Sequence, residues 1–255
     1  MYITMMKKVV MVIIILLFCV LSCDNNPVNP DDKEVTIPDA AVETAMLEAI
    51  GKSNGPVTES ELKKITNLVI HGYPRVLDGI DHCVNLKSLK IGQSDISDLG
   101  PIQDLGSLIS IHINLSRVKD VSFFKKLHSL RDLDLSFNEI EDISPIVNLD
   151  SLKFLALAYN QIHDLPNLSN MTQLQFLYLD YNSITSFEPF LVLPNIKILH
   201  LWNNSIEDLS TIYSATWLNS ESDITIDLDS NPLNENSINS IIPDLRSNYE
   251  IRVYY

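Results

Sequence analysis

Positive charge is scarce in this sequence: 18 Lys and Arg stand against 33 Asp and Glu, a formal −15. A nucleic-acid partner needs a basic footprint, so that class is excluded, and so is charge-driven adhesion to anionic lipid. Cysteine is scarce too, with three in 255 residues. That leaves no disulfide framework, so a buried core must hold the fold. The apolar run Val9 to Val20 falls short of the ~20 residues a membrane-spanning helix needs. Catalytic signatures are missing as well. There is no nucleophile elbow, no phosphate loop, and no cysteine or histidine pair at ligand spacing. The chain is therefore read as a non-enzyme, with no cofactor and no metal.

What the sequence does have is a repeated phrase. Leu130 to Leu149 reads LRDLDLSFNEIEDISPIVNL, with Leu130, Leu133, Leu135, Ile140, Ile143, Ile146 and Leu149 spaced around a fixed Asn138. A shift of 22 residues gives LKFLALAYNQIHDLPNLSNM from Leu152, and another gives LQFLYLDYNSITSFEPFLVL from Leu174. The pattern is L-x-x-L-x-L-x-x-N-x-L, the leucine-rich repeat signature. Indexed by the asparagine slot, the copies fall at Tyr73, Ser94, Ser116, Asn138, Asn160, Asn182, Asn204 and Asn231. The last step, 27 residues, implies an insertion between Tyr213 and Asp223.

Each L-x-L predicts a short strand, successive strands stacking in parallel. The slot calls for a side chain that both donates to and accepts from backbone groups inside the turn. Asp98, Asp120, Asp142, Asp164 and Asp208 recur four residues after the slot, and Pro101, Pro145 and Pro189 seven after it. An aspartate capping a 3₁₀ turn that accepts proline at its start explains both, without a cation ladder.

Residues 1–22 read as a signal peptide: Lys7 and Lys8, the apolar run, then Val20-Leu21-Ser22-Cys23. That ending resembles the lipobox of bacterial lipoproteins, which implies acylation of Cys23 as the mature N-terminus. The alternative is an uncleaved single-pass anchor. Removing the segment takes two bases and no acid, leaving 16 against 33, a formal −17. Cys83 is then without a partner, at an apolar repeat position where it reads as a buried small hydrophobe. Residues 23–36 read as a flexible tether. Residues 37–64 read as a helical cap, with Asp39 as N-cap, Gly51 at the C-terminal end and a capping-box pattern from Thr58 to Glu61. The repeats run over 65–233, about eight of them. Residues 234–255 form a second cap, helical around Pro243 with a final edge strand from Glu250 to Tyr255.

Residues alternating with the buried strand leucines point to the concave face, strands being roughly 4.8 Å apart. On the later strands this predicts one exposed aromatic patch of Phe154, Phe176, Tyr178 and Trp202. It is joined by His200 and bordered by Asp132, Asp134, Asp180, Asp227 and Asp229. An exposed aromatic patch marks an interaction site. With so acidic a chain, the fitting partner is a protein carrying Lys or Arg beside an apolar surface. Phe137, Tyr159 and Tyr181 read instead as rings packed along the turn. His112 and Asp134 should form a charge pair across neighbouring strands, with no nucleophile or third ligand converging on them.

From Ile37 to Tyr255 the chain resembles the internalin-like and SDS-type leucine-rich repeat proteins of bacteria. The resemblance is carried by IPDAAVETAMLEAIG, NEIEDISPIVNL and NPLNENSINSIIPDL. It implies an α/β solenoid, a leucine-rich repeat horseshoe with a parallel concave sheet, a 3₁₀ or turn convex side and caps at both ends. The expected function is a membrane-anchored, extracytoplasmic binding protein of the bacterial cell envelope, monomeric, recognising a protein through the concave patch. A glycan-binding module and a structural spacer without a ligand remain open alternatives.

Overall fold

Hydrophobic spacing in the chain changes at about residue 65 from helical to L-x-L, and the backbone changes with it. The computed structural model describes residues 32–219, 223–249 and 251–255. The expected signal segment, the Cys23 anchor and the tether through residue 31 lie outside the described residues, as does Glu250.

Glu34–Val35 (β1), placed in the tether by the sequence reading, pairs antiparallel with Val57–Thr58 (β2). Between them runs helix Ala40–Ile50 (α1). Asp39 starts α1, its Oδ1 accepting the Ala41 and Val42 N–H groups at 2.9 and 3.3 Å, and Gly51 ends it at φ 77°. Asp39 Oδ2 also accepts the Arg75 N–H at 2.8 Å, fastening this cap to the first repeat. A one-turn helix, Glu59–Leu62 (α2), follows, with Glu61 accepting the Thr58 N–H at 3.0 Å. Val42, Met46 and Leu62 are fully buried, covering the end of the leucine array.

The repeats then contribute eight strands: Asn67–Ile70 (β3), Ser88–Ile91 (β4), Ser110–Ile113 (β5), Asp132–Asp134 (β6), Phe154–Ala156 (β7), Phe176–Tyr178 (β8), Ile198–His200 (β9) and Thr225–Asp227 (β10). With a final strand they form one parallel sheet of nine, in sequence order. Below it, Leu130, Leu133, Leu135, Ile140, Ile143, Ile146 and Leu149 are each at most 1 % exposed. Truncating any such leucine to alanine costs ~2–5 kcal/mol. Cys83 belongs to this core, is unpaired, and burial pushes its thiol up to about 12, with Asp81 adding to the shift.

The asparagine slot does what its chemistry requires. Asn160 donates to Leu135 O at 3.0 Å and Leu157 O at 2.9 Å, and accepts from Ile140 N at 3.0 Å. Asn138, Asn182, Asn204 and Asn231 repeat this arrangement, so each amide ties its own turn to the preceding repeat. Ser94 and Ser116 bond to each other instead, 2.6 Å apart.

On the convex side, Asp98, Asp120, Asp142 and Asp208 each accept the N–H two residues on, at 2.7–3.1 Å, opening short 3₁₀ turns. Pro101, Pro145 and Pro189 sit at the start of such turns. The expected 3₁₀ turn is missing from one repeat: between β7 and β8 the return carries none, and it is Asn167, three residues past the aspartate position at Asp164, that accepts an N–H, that of Ser169.

In the long repeat, Trp217 is 3 % exposed and donates from Nε1 to Phe190 O at 2.9 Å. The chain ends in a π-helical turn, Ser237–Ile241, then helix Ile242–Asn248 (α3) with Pro243 in its first turn, then strand Arg252–Tyr254 (β11). β11 pairs in parallel with β10, and Arg246 donates to Val253 O, occupying a carbonyl of the terminal strand. Unpaired edge carbonyls invite pairing with other chains, so this contact protects the edge.

Candidate functional site

The sheet register places the predicted residues in rows across the strands. One row runs Asp132, Phe154, Phe176, Ile198, Thr225, and a second runs His112, Asp134, Ala156, Tyr178, His200, Asp227. Phe154, Phe176, Tyr178 and His200 are half-buried on one face. Tyr178 is the centre of this group, its ring 5.4 Å from that of Phe154 and 4.9 Å from that of His200. Rings at such distances and tilted angles attract one another, so part of the Tyr178, Phe154 and His200 ring surface is covered by neighbours.

Trp202 departs from the expected single patch. Its backbone N–H donates to Asp180 Oδ1 at 2.9 Å, but its indole packs edge-on against Tyr181, 4.7 Å between centroids. Tyr181 in turn stacks on Tyr159 at 4.1 Å, and Tyr159 on Phe137 at 4.2 Å, with interplanar angles of 13° and 10°. There are thus two aromatic groups: a cluster on the strands and a ladder along the edge where the strands end. Tyr181 packs along the turn as expected, yet Phe137 is 44 % and Tyr159 39 % exposed, against 38 % for Trp202. Two rings of the ladder are thus as open to a partner as Trp202.

Backbone conformation explains the ladder. Leu115, Phe137, Tyr159 and Tyr181, each just before the slot, adopt φ of 53–59°. Non-glycine residues reach this left-handed region at a cost of ~1–2 kcal/mol. The conformation turns the chain into the slot, where the asparagine amide bonds both turns, and swings the preceding side chain outward. The period of 22 then stacks the rings. A signal was present in the sequence, an aromatic before the asparagine in three consecutive repeats.

The acidic border is held in place by hydrogen bonds. Asp134 accepts from Asn114 Nδ2 at 2.8 Å and from the Ser136 N–H and hydroxyl at 3.0 and 2.8 Å, with His112 Nδ1 3.7 Å away. Asp180 lies 3.7 Å from His200 Nδ1. Asp227 accepts the Asp229 N–H at 3.1 Å. The Asp180 carboxylate raises the His200 pKa, burial opposes the rise, and Asp180 and Asp227 charge add to it.

A group whose folded pKa is raised stabilises the fold fully below its unfolded pKa of ~6.5 and loses that contribution as pH climbs through the folded value. The melting temperature of the native chain should therefore exceed that of His200→Gln most at about pH 5.5, and the gap should close toward about pH 8.5. A gap that stays constant over that range would mean the Asp180 pair contributes nothing.

A family model described as leucine rich repeats (2 copies) matches residues 128–170, 150–192 and 172–214. The chain is similar in structure to internalin C2 of Listeria monocytogenes, at 27% identity and a TM-score of 0.74, over 85% of this chain and 93% of that one. A leucine-rich repeat protein of Leptospira interrogans aligns at 23% identity and a TM-score of 0.69, covering 76% of this chain and 50% of that one. The functional domain of internalin J from Listeria monocytogenes aligns at 17% and 0.59, covering 87% and 62%. These last two show the fold alone. A comparison with curated protein sequences returned no match. The repeat register, the asparagine ladder and these likenesses agree: the chain carries leucine-rich repeats and folds as a solenoid similar to that of internalin C2.

Proposed function

We propose that this protein is a binding module of the bacterial cell envelope that recognises a protein partner through its concave sheet. The observation that carries this is the open aromatic surface, cluster and ladder together, set beside Asp134, Asp180 and Asp227 on a rigid parallel sheet. Aromatic side chains dominate interface hot spots, and a surface of this kind has no role in holding the core. The carboxylates favour a partner that brings Lys or Arg alongside an apolar patch. Sugar stacking needs open ring faces, and the inner faces of the ladder are covered by neighbouring rings, so a protein fits better than a glycan.

Partners are to be identified by cross-linking in cells and then measured with the purified pair. Tyr178→Ala with Trp202→Ala should weaken binding at least ~100-fold, since each anchor contributes ~2 kcal/mol or more. The accompanying loss of stability should stay near ~1–2 kcal/mol, the worth of the ring contacts removed. Unchanged affinity for the cross-linked partner would sink the proposal.

Anchoring by lipid at Cys23 is part of the same proposal, resting on the lipobox-like ending of residues 1–22. No helix among the described residues is long and apolar enough to cross a membrane. Cys23→Ser should move the protein from the membrane to the soluble fraction of lysed cells. Retention in the membrane fraction would refute the anchor and leave the binding surface untouched.

A further inference from the structure

The scarce bases are not scattered over the sheet. The residue just ahead of each strand from β4 to β9, seven before the slot, forms a row of Lys87, Ile109, Arg131, Lys153, Gln175 and Lys197. The row is held in register by consecutive N–H to carbonyl bonds of 2.8–2.9 Å, from Ile109 to Lys87 through Lys197 to Gln175. Its four bases are exposed. Among the described residues, none of them makes an ion pair. Some other exposed bases find an acid on a neighbouring repeat, Arg117 with Asp95, Lys119 with Glu139 and Lys126 with Asp104. Lys64, Arg75, Lys90 and Lys125 are exposed without an ion pair among the described residues, but they do not line up across consecutive repeats. In a chain with nearly twice as many acids as bases, four unpaired bases in one row stand out.

The opposite side of the sheet carries the opposite sign. Asp134 and Asp227 lie four before the slot, Asp180 and Asp229 two before it. Phe154, Phe176 and Ile198 lie between the two charged borders. The two borders are three to five residues apart along the strand, about 10–17 Å at roughly 3.3 Å per residue. Apart from Asp132, which precedes Phe154 in its row beside Arg131, and Lys90, which precedes His112 in the row running to Asp134, two charged borders of opposite sign flank an apolar centre.

We infer that this sheet takes an extended, charge-segregated peptide segment lying along the strands. The segment places carboxylates over Arg131, Lys153 and Lys197, apolar side chains over Phe154, Phe176 and Tyr178, and Lys or Arg over Asp134, Asp180 and Asp227. The inference rests on the concave sheet being the binding surface, and it adds the acidic half of the partner and a fixed orientation. Like charges crowded without a counter-ion favour a ligand that neutralises them, and complementary borders suppress wrong registers.

The test uses the full chain and two synthetic nonapeptides. One carries three glutamates, a Leu-Tyr-Leu centre and three lysines; the other has glutamines for the glutamates. At about 0.15 M salt, the first should bind about tenfold tighter than the second by fluorescence anisotropy. The triple variant Arg131→Glu, Lys153→Glu, Lys197→Glu should erase that preference with its melting temperature unchanged, the coupling a double-mutant cycle isolates. Equal binding of both peptides that is lost in Tyr178→Ala would keep the binding surface and overturn the segregated recognition. Failure of either peptide to bind at millimolar concentration would overturn the inference too, while the cross-linked partner decides the broader reading separately.

Discussion

Asn204→Ala is expected to lower the unfolding free energy by about 3–5 kcal/mol in urea or thermal melts. Its side chain is 7 % exposed, and besides a longer bond to Trp202 O at 3.4 Å its amide makes close bonds to three backbone groups: Leu179 O at 2.9 Å, Leu201 O at 3.0 Å and the Ile184 N–H at 3.0 Å. Alanine leaves all three without their partner in a place water reaches poorly, and each such group costs ~1–3 kcal/mol. The turn also loses the bonds that support φ of 54° at Asn203. Ser94→Ala should cost only about 1 kcal/mol, because its hydroxyl chiefly meets one other hydroxyl, that of Ser116. If Asn204→Ala proved as mild as Ser94→Ala, the leucine core alone would be holding the turns.

Trp217→Ala should cost a similar ~3–5 kcal/mol, the range for emptying a buried aromatic site. The residue lies in the long repeat, where a surface ornament would be the simplest reading. The structure instead buries the indole to 3 % exposure and ties Nε1 to Phe190 O, while Thr216 donates from both N and Oγ1 to Leu191 O at 2.7 and 3.0 Å. Thr216 and Trp217 close the core where the regular spacing is interrupted. Trp217→Phe keeps most of the apolar volume and should lose only ~1–2 kcal/mol, the Nε1 bond and some packing. A loss below about 1 kcal/mol for the alanine variant would show that the insertion is dispensable.

These two residues differ in how openly the sequence declared them. Asn204 stood in a slot repeated at a fixed period, and a repeat announces its own contacts because every copy faces the same neighbours. Trp217 sits in the single segment without a counterpart, so no periodicity could say whether it faced in or out. The same holds for the missing 3₁₀ turn between β7 and β8, where Asp164 matched the pattern but the Leu-Pro-Asn-Leu stretch after it does not turn as its neighbours do.

The surface divides along the same line. Leucine periodicity was enough to determine the parallel sheet, its register, the aspartate-capped turns and the side chains sharing the concave face, because one repeating unit can bury its apolar residues only against identical neighbours. Which rings touch which was decided only in three dimensions. Trp202, two residues past the end of β9, packs on Tyr181, since the left-handed residue before each slot carries Phe137, Tyr159 and Tyr181 to the edge and stacks them there. The separation of unpaired Arg131, Lys153 and Lys197 from Asp134, Asp180 and Asp227 was likewise hidden, because charges spaced 22 residues apart become neighbours only when the strands align.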